Sequence, residues 1–327
     1  MTGPRRLVDR PTLRQLEYAV AIADHGHFGR AAEACRVSQP ALSAQVQELE
    51  RRLGLVLFER GRHGALLTEE ARPVIDRARR VLMDVDDLVL DAADRAGEVL
   101  GTVRLAAIPT MAPYLLPVVV PELRRRQPRA DIVLLEHRTD ALLASLRGGR
   151  IELGLLAAPV DHPDLDVVVL AHDPFLLAVP PDHPFAGRRP VPLSGLAGLP
   201  MLLLEEGHCL RSQALDVSAL AGASLVGDVQ ATSLPTLCQM VAAGHGVTIL
   251  PASAAGVEAR PGTGITVRPL RSPAPERTVV LAWRRSSPRA HHNRALAEAL
   301  RGAVQSVCTI DPAVESGQGD ERDGAPA

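Results

Sequence analysis

Apolar residues open the chain at helical spacing. Leu13, Leu16, Val20 and Ile22–Ala23 share one stripe, which predicts a first helix ending at Gly26. Phe28 to Cys35 predicts a short second helix, where Ala31 and Ala32 allow a close crossing. Val37 and Ser38 form a turn. Ser38 suits an N-cap, and Pro40 suits a first turn, where its missing N–H costs nothing. A third helix then runs to about Leu53, with Leu42, Val46, Leu49 and Leu53 turned inward and Gln39, Ser43, Gln45 and Gln47 turned out. Gly54 closes it. Leu55–Arg60 and Ala65–Thr68 predict two short strands around the turn Gly61–Gly64, a wing that carries Arg60, Arg62 and His63. The next stretch, 69 to about 96, is amphipathic, free of glycine, with Pro73 near its start. Its Val74, Val81, Val85 and Leu88, with Leu82 and Val89, fit one buried seam.

Beyond Gly101 the period changes. Val103–Ile108 reads as strand, Pro113–Arg126 as helix, Ile132–Leu135 as strand, Asp140–Arg147 as helix and Ile151–Ala157 as strand. Such alternation predicts an α/β fold, a parallel sheet covered by helices. The theme returns with strands at Phe175–Val179, Met201–Leu204, Leu225–Val229 and Val247–Leu250, and helices at Leu210–Leu220 and Leu234–Ala243. A last strand, Thr278–Trp283, and a helix over Arg289–Val304 return to the first lobe. The segment from Thr309 to Ala327 is polar and acidic, and is expected to be disordered.

Composition narrows the function classes. At 327 residues, with 46 % apolar and 23 % charged positions, the chain has the make-up of a soluble protein of two or three domains. No apolar run nears the roughly 18 residues of a membrane span, and the segment after Arg5, Arg6 and Arg10 lacks a signal-peptide core, so a cytoplasmic location is expected. Net charge is −2, and any nucleic-acid footprint must therefore be local. All basic residues are arginine. Residues 1–68 hold ten of them against seven acids, a modest surplus for phosphate contact. The uncharged polar face of the third helix can donate to and accept from base edges. Cys35, Cys209, Cys238 and Cys308 are scattered without metal-ligand spacing, and in a reducing compartment they rest as thiols. His25 and His27 flank a turn, His162, His172 and His183 sit in loop-like surroundings, and His291–His292 lie on an exposed helix. Neither a metal nor a cofactor is expected.

The string from Leu13 to Ala71 resembles the LysR-type regulators almost position for position, through Phe28, Arg30–Ala31–Ala32, Val37–Ser38–Gln39–Pro40–Ala41–Leu42–Ser43, Gln45–Val46, Leu49–Glu50, Leu53–Gly54 and Leu57–Phe58–Glu59–Arg60. The resemblance implies a winged helix-turn-helix over 11–68 and a dimerisation helix over 69–97. It also implies a two-lobed, periplasmic-binding-protein-like α/β regulatory domain over 101–306, lobe I being 101–172 with 278–306 and lobe II 173–277. Promoter DNA would be the partner, met by Arg30, Ser38, Gln39, Pro40, Ser43, Gln45, Arg60 and Arg62. A second copy of the chain, giving dimers and tetramers, and RNA polymerase would be further partners.

Cys209 stands at the start of a predicted helix, where unpaired backbone N–H groups, the helix dipole and Arg211 all favour thiolate over thiol. His208 can supply a proton to a departing oxygen. By residue type alone, a small core cysteine remains the alternative. The run Leu203–Leu204–Glu205–Glu206–Gly207–His208–Cys209–Leu210–Arg211–Ser212–Gln213 resembles the cysteine segment of the peroxide-sensing OxyR group of the family. So do Ile108–Pro109–Thr110, Glu136–His137–Arg138–Thr139 and Ala231–Thr232–Ser233–Leu234. The resemblance implies hydrogen peroxide as the signal and Cys209 as the oxidised thiol, in a pocket lined by Thr110, Thr139, His208 and Arg211. The protein would then be a sensor and not an enzyme. One position departs: the group's second cysteine, nine residues on, is Ser218 here. Three readings stay open: an engineered replacement, a switch that stops at sulfenic acid or a mixed disulfide, or resolution by Cys238. Cys35 and Cys308 are expected to be bystanders. A small organic effector between the lobes is the alternative trigger.

Overall fold

The computed structural model describes residues 10–61, 64–94, 101–187, 189–287 and 289–310. One compact unit comprises the chain up to Glu98 with Arg147–Arg150, and the other comprises Val99–Leu146 and the chain from Ile151 onward.

In the first unit, α1 (Leu13–His25), α2 (Phe28–Ala34) and α3 (Gln39–Leu53) precede a hairpin of β1 (Phe58–Gly61) and β2 (Gly64–Leu67), then α4 (Arg72–Asp94). Gly26 and Gly54 end α1 and α3 in the left-handed conformation. Leu42, Val46 and Leu49 of α3 are buried against Tyr18, Ala19 and Ile22 of α1 and Ala31 and Ala32 of α2, each large aliphatic contributing about 1.5–3 kcal/mol. Two expected core positions are not core: Leu13 is 42 % and Leu53 38 % exposed. The buried face of α1 is instead Gln15, Tyr18, Ala19 and Ile22, with Gln15 also held in a capping box with Thr12. The hairpin docks through the Ala65 N–H, which donates to the Gly26 carbonyl at 2.8 Å. Gly64, at φ +138°, lies so close that a Cβ would stand 2.4 Å from that same oxygen.

Helix α4 begins at Arg72, three residues later than expected. Ile75 and Val74 join the core of their own unit, which removes Val74 from the expected intermolecular seam. Val81 and Leu88, 38 % and 70 % exposed, do remain open, while Leu82 and Val85 are half-buried. Residues 95–97, Arg62, His63 and the side chains of Arg60 and Val89 lie outside the described part.

The second unit is mixed α/β. Lobe I contains β3 (Gly101–Ala107), α5 (Ala112–Arg126), β4 (Ala130–Glu136), α6 (Thr139–Arg147) and β5 (Leu153–Ala157), and β3 pairs in parallel with both β4 and β5. β6 (Leu165–Val179) then runs through into lobe II, which holds β7 (Pro200–Leu204), α7 (Cys209–Ala221), β8 (Ser224–Ala231), α8 (Leu234–Ala242), β9 (Thr248–Pro251), α9 (Ala252–Glu258) and β10 (Thr266–Pro269). β11 (Glu276–Arg284) returns antiparallel beside β6 and β5, and α10 (Ala290–Val307) closes lobe I. β6 pairs with β11 over Leu165–Pro174 and with β9 and β10 over Phe175–Val179, so one strand serves both cores. The sequence pattern shows only its second half, because the first half alternates irregularly and leaves Val169 exposed. His172 is therefore on a strand, its Nδ1 2.8 Å from the Glu276 carboxylate. α9 and β10 escape the sequence pattern altogether. Cys308 caps α10 inside the lobe I core, and Ile310 packs on the lobe II core, so the described start of the supposed tail is anchored. Residues 311–327 lie outside the description.

Candidate functional site

The helix-turn-helix presents its polar groups from α3. The Ser38 hydroxyl accepts from the Ala41 N–H at 3.4 Å and caps the helix. Gln39 and Pro40 are exposed at its first turn and Ser43 is half-buried. Gln39 and Ser43 are four residues apart, hence on one face, and exposed Gln47 continues that face. Arg30 is exposed on α2. Gln45 does not share the face. It lies roughly 160° round the helix from Ser43, and its Oε1 accepts from Gln15 Nε2 at 3.2 Å. The Gln15 Oε1 is itself fixed by the Thr12 N–H at 3.1 Å. Gln45 is thus a brace between α1 and α3, set apart from the other outward glutamines. Gln15 went unread in the sequence, although Thr12-x-x-Gln15 is a capping-box pattern.

In the second unit, β7 leads through Glu205–His208 into α7, whose first residue is Cys209. The turn needs Gly207 at φ +89°. Cys209 is half-buried and, although its helix belongs to lobe II, packs on the lobe I core. The thiol therefore sits where the lobes meet. His208 is the N-cap residue, yet its side chain does not cap the helix. Its buried ring is held by a hydrogen bond to the Thr232 backbone. Among the described residues no group hydrogen-bonds Nε2, which stands 3.9 Å from Glu205 Oε1. Burial, and then Arg138, push the His208 pKa below its ordinary 6.5. The contact at Thr232 favours the protonated ring and uses the other nitrogen as donor, so in the neutral imidazole Nε2 is a lone-pair acceptor. The expected proton donor is thus, at rest, a proton acceptor. Arg211 Nη1 donates to the Leu204 carbonyl at 2.8 Å, tying the first turn of α7 to the end of β7. From lobe I, Arg138 donates to the Glu205 carboxylate and to the Glu206 carbonyl.

A second cluster lies at the strands that join the lobes. Asp173 of β6 and Arg277 of β11 are fully buried and paired at 2.9 Å. Asp173 also accepts from the Ser253 N–H at 2.9 Å and its hydroxyl at 2.6 Å. Arg277 extends Nη1 to the Thr110 hydroxyl at 3.3 Å and Nη2 to the Thr110 carbonyl and the Ser253 hydroxyl, both at 3.2 Å. Thr110, itself buried, is thereby fixed in the turn before α5. Thr139, half-buried, opens α6 beside Arg138. Arg138, Glu205 and His208 thus meet at the turn that leads into Cys209, and Thr110, Arg277, Asp173 and Ser253 form one hydrogen-bonded cluster. The sequence reading missed Arg138, Arg277 and Asp173.

Two family models cover the chain. The bacterial regulatory helix-turn-helix protein, lysR family, matches residues 13–72 and the LysR substrate binding domain matches 96–305. The chain is 43 % identical to the DNA-binding transcriptional dual regulator OxyR of Escherichia coli K12, over 89 % of this chain and 95 % of that protein. It belongs to the LysR family, in the OxyR group. A full-length OxyR variant from Pseudomonas aeruginosa shares its structure at a TM-score of 0.79 and 36 % identity, covering 91 % of this chain and 96 % of that one. A hydrogen-peroxide-bound OxyR variant from Corynebacterium glutamicum matches at a TM-score of 0.62 and 34 % identity with the same coverage.

Within this LysR-type chain the cysteines differ sharply. Ser218 is buried on α7, its hydroxyl donating to the Ala214 carbonyl at 2.7 Å. It is roughly 13 Å along the helix from Cys209 and half a turn round. Cys238 lies in the lobe II core, where burial and Glu258 push its thiol up to about 12. That keeps it protonated and argues against it as the resolving nucleophile, since thiolate is the attacking form. Cys308 is likewise held at about 12, by burial and Asp173 with partial relief from Arg277. Cys35 is raised by burial and Glu17. Among the described residues no three His, Cys, Asp or Glu converge as metal ligands, and no helix is long and apolar enough to cross a membrane.

Proposed function

We propose that the protein is a promoter-binding regulator switched by hydrogen peroxide, with Cys209 as the oxidised residue. One observation carries this: the half-buried Cys209 side chain heads α7 at the junction of the lobes, beside a neutral histidine. The Cys209 sulfur attacks one peroxide oxygen as thiolate, the O–O bond breaks, and the second oxygen takes a proton and leaves as water. Cys209 becomes sulfenic acid while peroxide is reduced. In this reading His208 Nε2, free of a hydrogen bond among the described residues, takes up the thiol proton and returns it to the departing oxygen. Thr110, Thr139, His208 and Arg211 shape the pocket, and Arg277 sets the position of Thr110. One oxidation per chain makes this a stoichiometric sensor, not an enzyme.

On the DNA side, Gln39, Pro40 and Ser43 face the bases, with Gln45 bracing their helix from α1. Arg30, Ser38, Arg60 and Arg62 meet the phosphate backbone. The exposed Val81 and Leu88 of α4 pair with a second copy, giving dimers and, by further contacts, tetramers. RNA polymerase is the downstream partner, and the cytoplasm is the place of action. Mobility-shift and footprinting assays with promoter DNA, before and after peroxide, test the switch. A changed footprint that is lost in Cys209→Ser is expected. An unchanged footprint in a protein whose Cys209 stays unmodified would overturn the reading.

A further inference from the structure

We propose that Arg138 is a positioning residue for the chemistry at Cys209: reaching from lobe I, it straps the Glu205–Cys209 turn of lobe II and governs the charge seen by His208. The proposal rests on the reading of Cys209 as the oxidised thiol. Three contacts define the strap. The Arg138 guanidinium donates to the Glu205 carboxylate and to the Glu206 carbonyl, the latter at 3.2 Å. Its side chain also lies over Gly207, where a Cβ would stand 3.2 Å from Nη1 and 3.3 Å from Cδ. The turn that aims Cys209 is therefore gripped across the lobe boundary by one side chain. A planar fork with several fixed donors suits a carboxylate and a carbonyl at once, which a single ammonium does not.

The same residue acts on His208. Among the described residues, the charged groups acting on that ring are Arg138 from lobe I and Glu205 from its own segment, while the Thr232 backbone also hydrogen-bonds it. Arg211 on α7 spends Nη1 on the Leu204 carbonyl. Glu205 stands between cation and imidazole, 3.9 Å from Nε2, and its charge is largely balanced by Arg138. With Arg138 neutralised, the carboxylate is unbalanced and draws a proton onto His208, and the acceptor at Nε2 is lost.

The test uses the full-length chain with ring-labelled histidines, His208 being assigned among the eleven by comparison with His208→Gln. In Arg138→Gln, the His208 titration seen by NMR moves upward, and oxidation of Cys209 by hydrogen peroxide slows on the order of tenfold as the turn loses alignment. In Glu205→Gln, oxidation also slows, but the titration moves downward. Arg138→Lys restores the titration and only part of the rate. These opposite shifts are not produced by a merely structural role. Unchanged His208 titration and unchanged oxidation in folded Arg138→Gln would overturn the strap. A wild-type Cys209 inert to peroxide would instead sink the parent reading, and the titrations, which need no peroxide, still judge Arg138.

Discussion

Asp173 is a carboxylate taken wholly out of water, and it persists because every neighbour donates to it. Such a buried pair gives little net stability when intact, yet removing one partner strands the other charge. Asp173→Asn leaves Arg277 uncompensated, and a loss of about 3–5 kcal/mol is expected in urea unfolding, with Thr110 released from its turn. His208 adds a pH dependence of definite sign. Its folded pKa is depressed, so below its ordinary 6.5 the unfolded chain binds more protons than the folded one. Stability contributed by the neutral ring is present above that value and declines as pH falls through the window beneath it. Denaturation midpoints measured downward from neutrality should fall, and His208→Gln should flatten that slope. The thiols make a third prediction. With Cys238 and Cys308 held near 12 inside cores, a neutral-pH alkylating reagent should modify native Cys209 well before either. Equal rates in the folded protein would contradict that contrast.

Elements were legible wherever their signals were local. Ser38, Pro40 and Gly54 bound α3 by chemistry that acts within one turn, and β5, β7 and β9 showed as short continuous apolar runs because they are buried on both faces. β6 was half-read because it serves two cores and its first half has no clean period. Gln15 reads as surface by type, and only its pairing with Gln45, 30 positions on, explains its burial. Arg277 and Asp173 stand 104 positions apart, beyond any spacing rule, and Arg138 meets Glu205 67 positions away. The wing is held by an element-scale constraint at Gly64, where both φ and the Gly26 carbonyl exclude a side chain. Gly64→Ala should cost about 1–3 kcal/mol and weaken promoter binding in a mobility-shift titration. Unaltered stability and affinity would show that the hairpin can shift without loss.

Over the whole molecule, the helices and the strand–helix alternation were readable from pattern, while the winged helix-turn-helix and the two-lobed regulatory domain were readable through the resemblance to the LysR family. Of the proposed switch, the sequence offered Cys209 at the head of a helix. In the proposed switch the half-buried thiol works through surroundings assembled from both lobes: Arg138 beside the turn, His208 with no hydrogen bond to Nε2 among the described residues, and a core of lobe I against which the side chain rests. Ser218 removes the nearest partner for a disulfide on the same helix, and the buried, protonated Cys238 does not replace it. The oxidised state is therefore expected to be sulfenic acid at Cys209. Brief exposure of the reduced chain to hydrogen peroxide, followed by intact-mass measurement and peptide mapping, tests this most directly. The account requires one added oxygen atom on Cys209, captured by a sulfenic-acid-selective diketone. Loss of two hydrogens through a crosslink to Cys238, or an unmodified Cys209, would contradict it.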